Sequence, residues 1–184
     1  MELTRESSST AVDAIMESWD RQTRILSNIS TLIGEDERKL KPSDDGWSLD
    51  HQLCHIHECR YGWLNAVDAE RAKTLGDVFE ERGGDYVPIA DLDEIKRQLS
   101  ISGRAINLAV RDHLAAGTGR IGPYEHPIYF LQHMIWHEGY HFALITLALR
   151  LAGKSPTDEW DEANVWGVWR DPEDFPGVAE AKIP

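Results

Sequence analysis

Hydrophobic residues recur at helical spacing in four separate stretches of the chain, and strand-like alternation is almost absent. The pattern predicts helices over about Thr10–Ile33, Ser48–Leu75, Asp91–Gly117 and Pro127–Ala152. Each predicted helix has a single apolar stripe, and long helices of this kind bury their stripes best by packing side by side. The sequence therefore predicts an all-α fold, a four-helix bundle that spans about residues 8–155.

The segments outside these helices carry turn signals. The connection from Asp77 to Ala90 contains two glycines and a proline, and we expect it to be a loop. At the start of the third helix, Asp91 with Glu94 forms a capping-box-like pair. Trp47, just before the second helix, is a candidate hydrophobic staple.

The C-terminal tail, residues 156–184, is acidic and irregular, and we assign it to the same single domain of residues 1–184. It contains Trp160, Trp166 and Trp169. Three tryptophans carry too much apolar area to remain in water, so we expect the tail to pack onto the bundle. It would cap the mouth of a pocket or contribute to a dimer interface.

Composition narrows the range of functions. The 184 residues include 19 Lys and Arg against 32 Asp and Glu, which gives a net charge of −13. Such an acidic surface argues against binding to nucleic acid or to anionic membranes. No apolar run is long enough to span a membrane, and the N-terminus lacks the apolar core of a signal peptide. Cys54 and Cys59 lie on different sides of one predicted helix and form no disulfide framework, so we expect a cytoplasmic protein.

The eight histidines carry the clearest chemical signal. His137 and His141 are one helical turn apart on the apolar stripe of the fourth helix, where two imidazoles can converge on one metal ion. His55 occupies a similar position on the second helix, on a line with Cys59 and Trp63. Because a bundle brings the two stripes together, the sequence predicts a divalent metal ion held by His55, His137 and His141.

The neighbouring polar residues have less defined roles. We expect His51 and His133 to lie at the rim of the site or behind the ligands, and His57 to face away from it. Cys59 is predicted to be a small core residue rather than a ligand. Glu58 and Glu138 are the candidates for a catalytic base, although their positions also fit a solvated or salt-bridged role.

The sequence H-E-G-Y-H at residues 137–141 also matches the H-E-x-x-H motif of zinc metalloproteases, in which the glutamate is the general base. A third ligand in those enzymes usually follows the motif. No histidine follows His141 in this chain. We therefore prefer the three-histidine bundle site.

Two groups of residues resemble a known family. Trp47-Ser48-Leu49, with His55-Ile56 eight residues after the tryptophan, is similar to the second-helix signature of the DinB/YfiT-like superfamily. The H-E-G-Y-H segment, with Leu149-Arg150-Leu151-Ala152-Gly153 after it, is similar to the fourth-helix signature. Phe142-Ala143-Leu144 departs from the family, because many members carry Arg and Gln in this segment.

The resemblance implies a four-helix bundle, often a homodimer, with a divalent ion on three histidines that correspond to His55, His137 and His141. It also implies a metal-dependent enzyme, a hydrolase or a thiol S-transferase, which acts on a small molecule such as a low-molecular-weight thiol. Zinc and nickel both suit three imidazoles. The alternative is a non-catalytic or stress-related bundle in which the metal is structural or regulatory.

Overall fold

Four long helices dominate the computed structural model, which describes residues 3–170. This part of the chain is predominantly helical and contains a single two-stranded sheet. Within the described residues, no helix combines the length and apolar character needed to cross a membrane. The helices are α1 (Leu3–Ser30), α2 (Leu49–Val67), the short α3 (Ala69–Ala72), α4 (Leu92–Ala116) and α5 (Pro127–Leu151).

The core lies between the long helices, and both α4 and α5 contact each of the other three. Trp19 of α1 is completely buried, and its indole Nε1 donates a 2.8 Å hydrogen bond to the carbonyl of Gly103 on α4. The predicted cap of α4 is present, because Asp91 accepts a hydrogen bond from the Glu94 amide. Large, fully buried hydrophobic side chains include Met16, Leu26, Ile29, Ile33, Leu49, Leu53, Ile56, Leu64, Ile95 and Phe130.

The second helix is shorter than predicted. It ends at Val67, because Asp68 leaves the helical conformation with φ −152° and ψ 75°. The Asp68 side chain accepts a hydrogen bond from the Arg71 amide and so begins a new helix, α3. Aspartate is a favourable N-cap, and here the local capping bond interrupts an otherwise continuous apolar pattern.

The prediction of a loop between Asp77 and Ala90 is wrong in its central part, which forms a β-hairpin. Strand β1 (Phe79–Arg82) pairs antiparallel with β2 (Asp85–Pro88). The connecting residues Gly83 and Gly84 have φ angles of 67° and 93°. Two-residue hairpin turns of type I′ require positive φ at both positions, which glycine adopts without steric cost. The glycine pair is therefore a hairpin signal.

The tail packs onto α1 as predicted, as far as residue 170. It forms a helical turn, α6 (Asp158–Asp161), followed by a π-helical turn and a 3₁₀ turn. Val165 and Val168 bury against Ile25, and the Asn28 side chain donates a 2.9 Å hydrogen bond to the Asn164 carbonyl. Trp166 and Trp169 nevertheless stay 57% and 43% exposed, so two of the three tryptophans are less buried than expected. Residues 171–184, also part of the predicted tail, lie outside the described residues.

Gly103 lies where α4 meets both α1 and α2. A Cβ atom at this position would lie 2.7 Å from Thr23 Cγ2 and 3.1 Å from Arg60 Nη1. Thr23 is β-branched and cannot easily rotate away. We expect Gly103→Ala to lower the free energy of unfolding by about 1–3 kcal/mol through overpacking, as measured by urea denaturation.

Gly62 of α2 provides the matched control, because no atom lies within 4 Å of the Cβ that alanine would add there. Gly62→Ala should gain up to about 1 kcal/mol from its higher helix propensity. Equal effects of the two substitutions would contradict the close approach at Gly103.

Candidate metal centre

Three histidine rings converge between α2 and α5. His55 comes from α2, and His137 and His141 from α5. The Nε2 atom of His137 lies 3.3 Å from His55 Nε2 and 3.2 Å from His141 Nε2. Among the described residues, these three are the only group of His, Cys, Asp or Glu side chains close enough together to hold a metal ion. The structure thus brings together the three histidines that the sequence singles out.

The spacing of the three nitrogens fits a single ion. Imidazole nitrogens bind zinc at about 2.0–2.1 Å, so neighbouring ligands at tetrahedral or octahedral angles lie about 2.8–3.4 Å apart. The two Nε2–Nε2 distances fall within this range. Lone pairs of neutral imidazoles that face one another at this distance repel, and a shared cation removes that repulsion. The group can therefore hold a metal ion, and the geometry is compatible with more than one metal.

Gln52 orients one of the candidate ligands. Its side chain is buried, and its Oε1 lies 2.5 Å from Nδ1 of His141. An amide oxygen only accepts hydrogen bonds, so His141 carries its proton on Nδ1 and presents the lone pair of Nε2 to the site. Gln52 was not predicted from the sequence. The signal that could have identified it is its position about one helical turn before His55 on the same helix.

Trp47 covers the side of the site formed by α2. Its ring centroid lies 4.7 Å from the rings of both His51 and His55, and it is nearly parallel to the ring of His141 at 6.4 Å. The indole is 45% exposed. Although its position in the sequence suits a staple for α2, the structure places Trp47 against the candidate ligands. His51 stands at the rim of the site, as expected.

His133 and His57 contact partners other than the three histidines of the cluster. His133 is exposed, and its Nδ1 lies 2.5 Å from the Tyr124 hydroxyl. His57 is buried, with its two ring nitrogens 3.2 Å from the Gln98 carbonyl and 3.0 Å from the Gly76 carbonyl. His57 thus joins α2 to α4 and to the segment before the hairpin.

Burial keeps the candidate ligands neutral. It lowers the pKa of His137 to about 4, with a further contribution from the neighbouring His55. It likewise lowers the pKa of His141 to about 4, with a contribution from His137. The pKa of His55 is also lowered, first by burial and then by His51. At neutral pH the rings are therefore in the form that binds metals.

Cys59 lies closer to the site than its predicted role as a core residue suggests. Its Sγ is 3.5 Å from His55 Nε2, and the side chain is half-buried. Burial raises the pKa of the thiol, and the charges of Glu58 and Glu138 raise it further. The sulfur is thus a neutral thiol beside the three histidines at pH 7.

Glu138 faces away from the candidate ligands. Its carboxylate forms a 2.6 Å ion pair with Arg60 Nε, and both side chains are 1% exposed. Arg60 also donates to the Leu99 carbonyl at 2.6 Å and lies over the Trp19 ring at 5.2 Å. A glutamate held in this way is unavailable as the general base of a zinc protease. The buried role of Arg60 was not predicted from the sequence, because its partner Glu138 is 78 residues away along the chain.

A cleft of about 440 Å³ lies between α2 and the β-hairpin, and its lining residue His51 is one helical turn before the candidate ligand His55 on α2. It is lined by His51, Glu58, Asp77, Phe79 and Tyr86. Burial raises the pKa of Glu58, and the charge of Asp77 raises it further. The sequence offers Glu58 and Glu138 as a catalytic base. Glu58 lines this accessible cleft, whereas Glu138 is buried against Arg60.

The fold and the site together define a class: a helical protein with three converging histidines that can hold a metal ion. Comparison with known proteins agrees with this class. The DinB family pattern matches residues 7–163, most of the chain, and the chain therefore belongs to the DinB family. No curated protein and no solved structure gives a match.

Proposed function

We propose that this protein is a metal-dependent enzyme built on a four-helix bundle, with a divalent ion held by His55, His137 and His141. The observation that carries the proposal is the convergence of three neutral imidazoles in a group that contains no fourth His, Cys, Asp or Glu ligand among the described residues. Structural zinc sites usually close the shell with four protein ligands, whereas catalytic sites keep a position for water or substrate. Membership of the DinB family supports the same conclusion.

The ion would supply Lewis acidity, which lowers the pKa of a bound water or thiol so that it can attack a substrate as a hydrolase or a thiol S-transferase requires. The chain supplies the arrangement around it. Gln52 holds the tautomer of His141, and Trp47 shields the α2 side of the site from solvent. Three neutral ligands leave the full charge of the ion uncompensated, and imidazole suits zinc or nickel.

Turnover that requires a metal tests this proposal. The purified protein is screened with ester, amide and electrophilic thiol-acceptor substrates, with and without a small thiol, before and after treatment with EDTA. We expect activity that EDTA abolishes and that zinc or nickel restores. Strong thermal stabilisation by metal without turnover of any substrate would contradict the enzyme and favour a structural or regulatory ion.

Metal affinity should persist at mildly acidic pH. Protons compete with a metal for histidine only near the pKa of the ring, and burial lowers this pKa to about 4 for His137 and His141, against about 6.5 for free histidine. We expect the affinity for Zn²⁺ to fall mainly below about pH 5, as measured by competition with a chelator from mildly acidic to neutral pH. A decline that is already well advanced at about pH 6.5 would show that the rings titrate like free imidazole.

A further inference from the structure

The cleft between α2 and the β-hairpin combines two aromatic rings, of which Tyr86 is 72% exposed, with the half-buried carboxylate of Glu58 and the exposed carboxylate of Asp77. Phe79 and Tyr86 come from the two strands of the hairpin, and Glu58 and Asp77 bring the negative charges. His51 connects the cleft to the metal centre, since its ring contacts Phe79 at 5.0 Å and Trp47 at 4.7 Å. His55 is one helical turn after His51 on α2, so a ligand in this cleft would lie about one helical turn from the metal centre.

In the part of the chain that the structure describes, neither carboxylate of the cleft has a cationic partner. Among the described residues, no hydrogen bond or ion pair is made by the side chains of Glu58 or Asp77. The fully buried carboxylates of this protein are compensated: Asp50 pairs with Arg38 and Lys39, and Glu138 pairs with Arg60. The two cleft carboxylates instead repel each other, and this repulsion adds to the effect of burial in raising the pKa of Glu58.

A second metal ion does not explain the cleft. Within the part of the chain that the structure describes, the only group with metal-binding spacing is that of the three histidines. The carboxylates and His51 are therefore too dispersed to coordinate one ion. The cleft is large enough for an organic group, and aromatic faces attract organic cations.

The wall formed by the hairpin is fixed at both of its ends. Arg38, which is buried, donates hydrogen bonds to the carbonyls of Ile89 at 2.8 Å and Ala90 at 2.7 Å. At the other end, the Gly76 amide donates to Gln98 Oε1 at 2.9 Å. Both ends of the hairpin segment are thus held in place without a ligand, which reduces the entropic cost of binding.

We propose that this cleft binds a positively charged organic group of the substrate, a primary ammonium or a guanidinium, between the carboxylates of Glu58 and Asp77 and the rings of Phe79 and Tyr86. This inference rests on the proposed function insofar as the bound molecule is a substrate. The cation would lie in the cleft while the reactive part of the molecule extends past His51 to the metal centre. The role of Glu58 is then to bind the ligand.

Three probes of similar shape and different charge test the proposal: benzylammonium, benzyl alcohol and benzoate. Binding is measured at neutral pH by ligand-observed and protein-observed NMR, with both metal-free and Zn²⁺-loaded protein. We expect benzylammonium to bind at least about tenfold more tightly than the other two, and more weakly as salt is added. Binding to the metal-free protein excludes coordination of the amine to zinc.

Neutral, nearly isosteric variants identify the carboxylates. Glu58→Gln and Asp77→Asn should each weaken benzylammonium binding about tenfold, because each removes one charged partner. Asp85→Asn is the matched control, since Asp85 is exposed at the tip of the same hairpin and does not line the cleft. It should leave binding unchanged.

Failure of this proposal is distinguishable from failure of the proposed function. Equal binding of benzylammonium and benzyl alcohol, or equal loss in the Asp85 control, would overturn the cationic cleft whatever the metal content. Absence of metal binding would overturn the enzyme proposal while benzylammonium could still bind to the metal-free cleft.

Discussion

Replacing His137 with alanine is expected to abolish tight binding of divalent metal. His137 is the central member of the cluster, with its Nε2 within 3.3 Å of both partners. Its removal leaves two imidazoles, which hold an ion poorly. Mass spectrometry of the purified variant should therefore find no stoichiometric metal.

The same variant should lose stabilisation by metal. A ligand at about 100 times its dissociation constant adds about 2.7 kcal/mol to the free energy of unfolding, and the wild-type protein should show this gain with Zn²⁺ while His137→Ala should not. His51→Ala and His133→Ala serve as controls and should keep the metal. If the His137 variant retains stoichiometric metal, or if the wild-type protein binds none at micromolar concentration, these are core histidines without a ligand role.

Arg60→Leu is expected to lower the free energy of unfolding more than Gly103→Ala does. It leaves the Glu138 carboxylate buried without its partner, and breaking a buried ion pair costs about 3–5 kcal/mol. Glu138→Leu should cost a similar amount, because Arg60 is then left buried with its charge uncompensated. Urea denaturation measures both effects.

The double variant separates the charge pair from general packing. Arg60→Leu with Glu138→Leu removes both charges, so it should be more stable than either single variant. A control for charge removal is Lys73→Ala, which breaks the exposed pair with Glu70 and should cost less than about 1 kcal/mol. Simple additivity of the two leucine substitutions would show that Arg60 and Glu138 are not energetically coupled.

The long helices and the three candidate ligands could be predicted because their signals are local. Apolar stripes with a period of 3.6 residues define α1, α4 and α5, and the predicted boundaries of α4 and α5 lie near the observed ones. The histidines could be paired across helices because His137 and His141 lie on the apolar stripe of α5 and His55 on that of α2. His137 and His141 follow from spacing alone, and His55 follows from the packing of α2 against α5.

The features that the sequence did not predict depend on contacts distant along the chain or on single residues. The bond between Gln52 and His141 joins residues 89 apart, and the ion pair of Arg60 joins residues 78 apart. The periodicity of hydrophobic residues is a local pattern and does not reveal contacts between residues so far apart. The end of α2 depends on one capping bond at Asp68, which an apolar pattern also cannot reveal.

The separation of the site residues along the chain also has a consequence for folding. His55 and His137 are 82 residues apart, with α4 and the hairpin between them, yet their Nε2 atoms lie 3.3 Å apart. An ion bound by both histidines would close a long loop of the unfolded chain. Cross-links that close long loops lower the conformational entropy of the unfolded state more than those that close short loops. Because α2 and α5 must dock before the nitrogens converge, metal should slow unfolding more than it accelerates folding.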